Sequence, residues 1–348
     1  MVLNCIFGAM NFETIVAVRK LLAKPQKIVI VPHKNPDGDA IGSTLGLWHY
    51  LKKMGQDAVV VVPNDYPKFL KWMPGSGDIL NFERENAQAR SKINGATLIF
   101  TLDFNHLGRI GQMEKILEEA NVPFVMIDHH QAPSEYADIM YSDVNMSSTC
   151  EMVYNFIEAV DGGTDGITTE IANCLYTGIM TDTGSFKFRS TTGRTHRVVA
   201  DLIDKGAENT EIHHRVYDTN TPARLHLLGC ALKNMVILEK YSTAYITLSQ
   251  EELDAHDFQK GDTEGFVNYG LTLEGIRFAV IFIENHEEGI IKISFRSIGD
   301  FSVNEFARKH FEGGGHNNAA GGRSSLSLTE TVARFESLLP NYQELLKP

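Results

Sequence analysis

The sequence predicts an α/β protein in two parts: an N-terminal parallel sheet with helices on both faces, and a smaller α/β domain at the C-terminus. Three observations carry that expectation. Short, almost wholly apolar runs at 28–32, 58–62, 96–102 and 123–127 alternate with helix-forming stretches, as buried parallel strands do when crossover helices cover them. The pattern changes after about residue 236, where strand-like and helix-like segments follow in a different order. At 348 residues the chain also exceeds one ordinary core.

In chain order, residues 11–24 read as a surface helix with Phe12, Ile15, Val16, Val18 and Leu22 available for packing. The strand at 28–32 leads into His33-Lys34-Asn35-Pro36-Asp37-Gly38-Asp39 and then a helix over 40–54. Pro36 stiffens that turn, Gly38 relaxes it, and Asp39 would by itself suit a helix N-cap. A second strand at 58–62 precedes a long connection, 64–80, rich in Pro and Gly. A polar helix at 83–92 follows, then a strand at 96–102 that stops at Asp103. Arg109, a helix near 111–120 and a strand at 123–127 come next, the last ending at Asp128-His129-His130. Helices at 149–160 and 168–180 close the first part, with Asp182 between an apolar helix end and Gly184. Residues 193–235 read as helical, with Pro222 at a helix start. Beyond them, strands are expected at 243–248, 277–283 and 290–295, and helices at 302–310 and 328–338.

Composition narrows the function. Hydrophobic residues at 43% and charged residues at 22% suit a soluble globular protein. No run of about 18 apolar residues suggests a membrane span. Residues 1–10 lack a basic segment before their apolar residues, so a cytoplasmic protein without a secretory signal is expected. Cys5, Cys150, Cys174 and Cys230 form no CxxC pair and read as buried free thiols in a reducing compartment. A net charge of −12 argues against coating long duplex nucleic acid, yet allows a short anionic substrate where cations neutralise the carboxylates.

In a parallel sheet, ligands bind beyond the carboxyl ends of the strands. His33, Asp37, Asp39, Asp103, Asp128, His129 and His130 all fall there. Oxygen and imidazole donors without thiolates favour Mn²⁺ or Mg²⁺. More donors are present than one ion needs, so two divalent cations are expected. His33, Asp37 and Asp103 would hold one, and Asp39, Asp103, His129 and Asp182 the other, with Asp103 bridging. Two ions roughly 3.5–4 Å apart activate water and clamp the attacking and leaving oxygens of an in-line displacement at phosphorus.

The ordered set His33-x3-Asp37-x-Asp39, Asp103, Asp128-His129-His130 and Asp182 resembles the DHH phosphoesterase superfamily. Gly313-Gly314-Gly315-His316 with Ala319-Ala320-Gly321 is similar to its companion DHHA1 domain. Together they span almost the whole chain, in a layout like that of the bifunctional oligoribonuclease and pAp phosphatase (nano-RNase) branch. The resemblance implies a catalytic DHH domain over 1–192, a helical linker over 193–235 and a substrate-binding DHHA1 domain over 236–348. It implies Mn²⁺-dependent hydrolysis of very short RNA or nucleotides at a site between two lobes, with Asp103 at the catalytic centre. His130 would face the scissile phosphate and Asp128 would orient a ligand. In the second domain, Gly313, Gly314 and Gly315 offer amide N–H groups to an anion, with His316 and Arg296 as phosphate contacts and Arg109 as a weaker one. His49, His106 and the pair His213-His214 sit in no ligand set.

Two other readings stay open. One keeps the metals and changes the substrate to cyclic dinucleotides or their linear products. The other is a non-catalytic nucleotide sensor. The helices of 193–235 would serve either a homodimer or an interdomain core.

Overall fold

The computed structural model describes residues 12–347. The expectations for residues 1–10 and for Cys5 lie outside them. The chain divides by internal contacts after Thr219 into two units.

The first unit runs α1 (Phe12–Leu22), β1 (Lys27–Pro32), α2 (Gly38–Lys53), β2 (Asp57–Val62), β3 (Leu80–Asn81), α3 (Asn86–Asn94), β4 (Leu98–Leu102) and α4 (Glu114–Glu118). It continues with β5 (Phe124–Asp128), β6 (Ile139–Ser142), α5 (Thr149–Asp161), α6 (Thr169–Asp182), α7 (Gly193–Asp204) and α8 (Asn209–Tyr217). Its six strands lie in the order β3-β2-β1-β4-β5-β6, and every pairing is parallel. Side chains alternate between two cores: Ile28 and Ile30 pack with α2, α5 and α6 residues, while Val29 and Val31 pack with Ala89, Ile93, Ile116 and Leu117 from α3 and α4. Burial on both faces explains why these strands are apolar throughout instead of alternating with polar residues.

Helices α2 and α6 approach unusually closely. A Cβ at Gly42 would stand 2.5 Å from the carbonyl oxygen of Cys174, and one at Gly178 would sit 3.0 Å from Asp39 Oδ1. Glycine is required at both positions by contact, not by dihedral angle.

The second unit contains α9 (Pro222–Lys233), β7 (Val236–Leu238), β8 (Thr243–Leu248), α10 (Gln250–Ala255), β9 (Phe278–Asn285), β10 (Ile290–Ser297), α11 (Val303–His310), β11 (Gly314–Gly315), β12 (Ala319–Ser324) and α12 (Leu328–Leu338). Its sheet is mixed, ordered β11-β12-β10-β9-β8-β7, with only β8 and β9 parallel. A phenylalanine-rich core, including Phe278, Phe295, Phe306 and Phe335, joins one face of the sheet to α11 and α12.

Several expectations shift. The 193–235 stretch is divided instead of acting as a separate linker: α7 and α8 fall in the first unit and α9 in the second. In α1 only Val18 and Leu22 are buried, whereas Phe12 and Val16 are exposed. Cys230 is half-buried, while Cys150 and Cys174 are buried, and all three are free thiols. Strands β6, β7, β11 and β12 and helix α10 escape the sequence reading because they are short, polar or glycine-rich.

Candidate metal centre

Strand order reverses between β1 and β4, and connections leave the two strand ends in opposite directions, which opens a crevice there. Pro32 and Leu102 are register partners at those ends, so His33 and Asp103 emerge side by side. Asp103 has a left-handed backbone, with φ 67°, a conformation costly for most side chains but tolerated by aspartate. Its N–H is held by the carbonyl of Ile127 at 3.1 Å, which ties the strained residue to β5.

The turn after β1 is built around the start of α2. Asp37, not Asp39, is the N-cap: its Oδ1 accepts from the N–H groups of Asp39 at 3.0 Å and Ala40 at 3.1 Å. That leaves Oδ2 directed towards His33 Nε2, 3.9 Å away. Asn35 is also left-handed, with φ 57°. It is fixed by a reciprocal pair with Asn64, in which Asn35 N donates to Asn64 Oδ1 and Asn64 Nδ2 donates to Asn35 Oδ1, both at 2.7 Å.

Among the described residues, two groups of donor atoms match the expected ligand sets, with every donor in a group within 4.8 Å of the others. One is His33, Asp37 and Asp103, and the second is Asp39, Asp103 and His129. Asp103 belongs to both. Its Oδ2 lies 3.4 Å from His33 Nε2 and its Oδ1 lies 3.6 Å from His129 Nε2. His129 Nε2 is also 3.7 Å from Asp39 Oδ2 and 3.6 Å from Asp182 Oδ2. Asp182 is the last residue of α6, not a residue beyond the helix as the sequence suggested, and its side chain is the more open to solvent.

The imidazoles are oriented. His33 Nδ1 lies 2.9 Å from the carbonyl of Lys34, and His129 Nδ1 lies 3.2 Å from that of Met146. A carbonyl only accepts, so each Nδ1 carries a proton and each Nε2 faces the carboxylates, where it takes either a cation or a second proton. His130 Nδ1 is bonded to Asp128 Oδ1 at 2.8 Å.

Electrostatics bear on what this arrangement can hold. Burial pushes Asp103 well above the usual carboxylate range, and the neighbouring Asp39, Asp37 and Asp182 add to it. Burial likewise raises Asp39 and Asp128. For His129, burial alone lowers the pKa, but Asp182, Asp103, Asp39 and Asp128 together outweigh it and push the ring up to about 9. Burial lowers His130 well below its ordinary value, and Arg109, His129 and His33 act in the same direction. A divalent cation relieves the crowding of carboxylates directly. The separations fit as well: 3.6–3.9 Å is too long for hydrogen bonds yet spans two donors around one ion at roughly 2.0–2.2 Å. Asp128 Oδ2 is buried without a hydrogen-bond partner, which marks it as a further acceptor facing the same space.

Arg109 joins this site. Its carbonyl accepts from Lys34 N–H at 2.8 Å, and its positive charge acts on His33, His130 and Asp128. Within the second unit, Gly314 and Gly315 form the short strand β11 against Gly321 and Ala320 of β12. The close approach that glycine permits there is to backbone. A Cβ at Gly313 would stand 2.0 Å from the Gly321 carbonyl oxygen, and one at Gly315 would stand 2.5 Å from that of Ala319. The Gly315 N–H is donated to Asn304 Oδ1 at 3.0 Å. His316 N–H donates to the carbonyl of Ala319 at 2.7 Å, closing the hairpin, and Arg296 is the register partner of Ala319 on β10.

Sequence reasoning found α5 but missed the contacts that Asn64 and the first residues of that helix make at the site. Thr149 N–H lies 2.6 Å from Asp39 Oδ2, Cys150 N–H lies 2.8 Å from Asp39 Oδ1, and Thr149 Oγ1 donates to Asp103 Oδ1 at 2.9 Å. The available signal was Ser148 with Glu151 three residues later, an N-cap pattern at the head of an apolar helix.

Residues 27–179 match the DHH family, N-terminal domain, and residues 240–345 match the DHHA1 domain. A bifunctional oligoribonuclease and PAP phosphatase, NrnA of Thermus thermophilus, is 34% identical over 324 residues, covering 92% of this chain and 90% of that protein. The cyclic-di-AMP phosphodiesterase GdpP of Geobacillus thermodenitrificans is 28% identical over 347 residues, covering 95% of this chain but 50% of that protein. A crystal structure of an exopolyphosphatase-related protein from Bacteroides fragilis superposes with a TM-score of 0.92 at 41% identity, covering 99% of both chains. The chain is therefore a member of the DHH family, carrying both the DHH and DHHA1 domains and related along nearly its whole length to the oligoribonuclease and PAP phosphatase proteins.

Proposed function

We propose that this protein is a two-metal phosphoesterase that hydrolyses short oligoribonucleotides to mononucleotides and removes the 3′-phosphate of 3′-phosphoadenosine 5′-phosphate (pAp). The observation that carries the reading is Asp103, placed at the strand-order reversal so that its two oxygens face His33 and His129 separately. His33, Asp37 and Asp103 hold one cation, and Asp39, Asp103, His129 and Asp182 hold the other. Mn²⁺ is the preferred ion, with Mg²⁺ as a substitute. When bound, the pair supplies positive charge that lowers the pKa of water and offsets the charge growing on phosphorus.

The chain's own groups do the rest. Lys34 and Met146 carbonyls hold the Nδ1 protons of His33 and His129 and aim their Nε2 atoms inwards. His130, steadied by Asp128, contacts the scissile phosphate. Arg109 adds a positive charge beside them. In the DHHA1 domain Arg296, His316 and the backbone around Gly313, Gly314 and Gly315 bind a terminal phosphate of the substrate. Whole-length likeness to the Thermus thermophilus enzyme supports this choice of substrates, with a short RNA or nucleotide as the partner.

The likeness to GdpP favours a second reading, in which a cyclic dinucleotide or its linear product is the preferred substrate. Product analysis on 5′-labelled dinucleotide and five-nucleotide RNAs, pAp and cyclic di-AMP, with Mn²⁺, Mg²⁺ or EDTA, separates the two. Metal-dependent release of mononucleotides and of phosphate from pAp is expected. Turnover confined to cyclic di-AMP would select the second reading, and saturable binding without any turnover would make the protein a sensor.

A further inference from the structure

We infer that Thr149 is a positioning residue and that the segment 146–151 sets the geometry and affinity of one cation site and not the other; this rests on the two-cation reading above. Three residues of this six-residue segment reach all three groups of the Asp39, Asp103 and His129 cluster. The Met146 carbonyl accepts from His129 Nδ1. The first two N–H groups of α5, from Thr149 and Cys150, each hold a different oxygen of Asp39 at 2.6 and 2.8 Å. The Thr149 hydroxyl donates to Asp103 Oδ1 at 2.9 Å, the oxygen on the His129 side.

Each link has a physical effect on a donor atom. Asp39 is 1% exposed, and burial disfavours its charge. Two amide donors at the positive end of a 13-residue helix compensate for that, and they fix the plane of the carboxylate. A carboxylate oxygen has two lone-pair positions, so one takes the N–H and the other remains for an ion. The Thr149 hydroxyl does the same for Oδ1 of Asp103, the oxygen that faces His129, and leaves Oδ2 on the His33 side untouched.

The segment is itself anchored. The Ser148 hydroxyl caps α5 by accepting from Glu151 N–H at 3.0 Å. Glu151 is buried and accepts from the hydroxyls of Ser147 and of Thr195, the latter at 2.9 Å, which ties the head of α5 to the head of α7. The other cluster depends on different supports, namely the Lys34 carbonyl and the cap that Asp37 makes on α2. Only Asp103 is shared. Removing the Thr149 hydroxyl therefore acts asymmetrically on the two ions.

The test is calorimetric titration of Mn²⁺ into the metal-stripped full chain, beside steady-state kinetics on a dinucleotide RNA. Thr149→Val keeps the shape and the N–H but loses the hydroxyl. It is expected to weaken one of two cations by about 10–100-fold, the range for loss of a partner that orients a ligand. It should lower kcat at limiting Mn²⁺ with KM for RNA unchanged, and excess Mn²⁺ should restore turnover. Thr149→Ser should restore wild-type behaviour. Thermal unfolding in EDTA shows whether Thr149→Val is folded. Should it not fold, Thr195→Val, whose hydroxyl bonds Glu151 and not Asp39 or Asp103, is expected to weaken the same cation by a few-fold. Wild-type titrations in a folded Thr149→Val, equal weakening of both ions, failure of Thr149→Ser to rescue, or an unchanged Thr195→Val where Thr149→Val does not fold would each overturn the inference. A wild-type protein that takes up no cation pair would instead overturn the two-cation reading beneath it.

Discussion

His33 Nε2 and Asp103 Oδ2 lie 3.4 Å apart, at the adjoining ends of β1 and β4 where the strand order of the sheet reverses. Asp103 is the one residue common to both donor clusters, so its loss falls on both. Asp103→Asn is expected to abolish turnover of every substrate, beyond the roughly 10–100-fold cost of losing an orienting partner. Inductively coupled plasma analysis of the purified variant should find its divalent metal content reduced at both sites. Wild-type metal content with wild-type kcat would refute the bridging role.

Arg296 and His316 lie in the DHHA1 domain. Arg296→Ala and His316→Ala are expected mainly to raise KM for short RNA, by about 10-fold or more where a bidentate phosphate contact is lost. Their kcat should stay near wild type. Kinetics over a full substrate range checks this, and a fall in kcat at unchanged KM would contradict it.

The closeness of α2 and α6 sets where Asp39 sits. Gly42→Ala places a methyl 2.5 Å from a backbone oxygen that cannot move aside. It is expected to destabilise the fold by about 1–3 kcal/mol, as overpacking does, and to weaken cation binding through Asp39. Gly163→Ala, whose Cβ meets nothing within 4 Å, is the matched control and should change neither. Urea denaturation of the two variants provides the comparison.

Without a cation, the cluster gives stability a definite pH dependence. His129, raised to about 9, contributes stability that is fully present below its unfolded value near 6.5 and is lost as pH rises through about 9. Asp103 and Asp39 are also raised, so above the unfolded carboxylate value the folded chain holds protons that the unfolded chain has released, and stability falls with rising pH there too. Divalent cations displace those protons. The gap in Tm between Mg²⁺-loaded and EDTA-treated protein should therefore widen from pH 6.5 to pH 9, and binding should release protons to buffer. A gap that narrows would show the groups to be ionised already in the metal-free state.

Much of this site could be read from sequence because each donor group follows an apolar run. The strands ending before His33, at Leu102 and at Asp128 are periodic and buried on both faces, and the rule that ligands gather at strand ends supplied the rest. What bonds across the chain left no such trace. The amides of Thr149 and Cys150 serve Asp39 from 110 and 111 residues away, and a main-chain donor can be any residue. The Asn35–Asn64 pair is equally silent, since neither asparagine stands out in a turn. In the second unit, the triple glycine reads as an anion cradle, yet the backbone of β12 already explains why Gly313 and Gly315 have no side chain.

The left-handed backbone of Asp103 limits how this protein can change over time. Among side chains without a carboxylate, asparagine and glycine accept that angle with least penalty, whereas branched or bulky replacements damage folding and chemistry together. A descendant that abandons hydrolysis but keeps its shape is therefore expected to carry asparagine or glycine at position 103, and a paralogue found with either there would be the first place to look for a protein that senses nucleotides without cutting them.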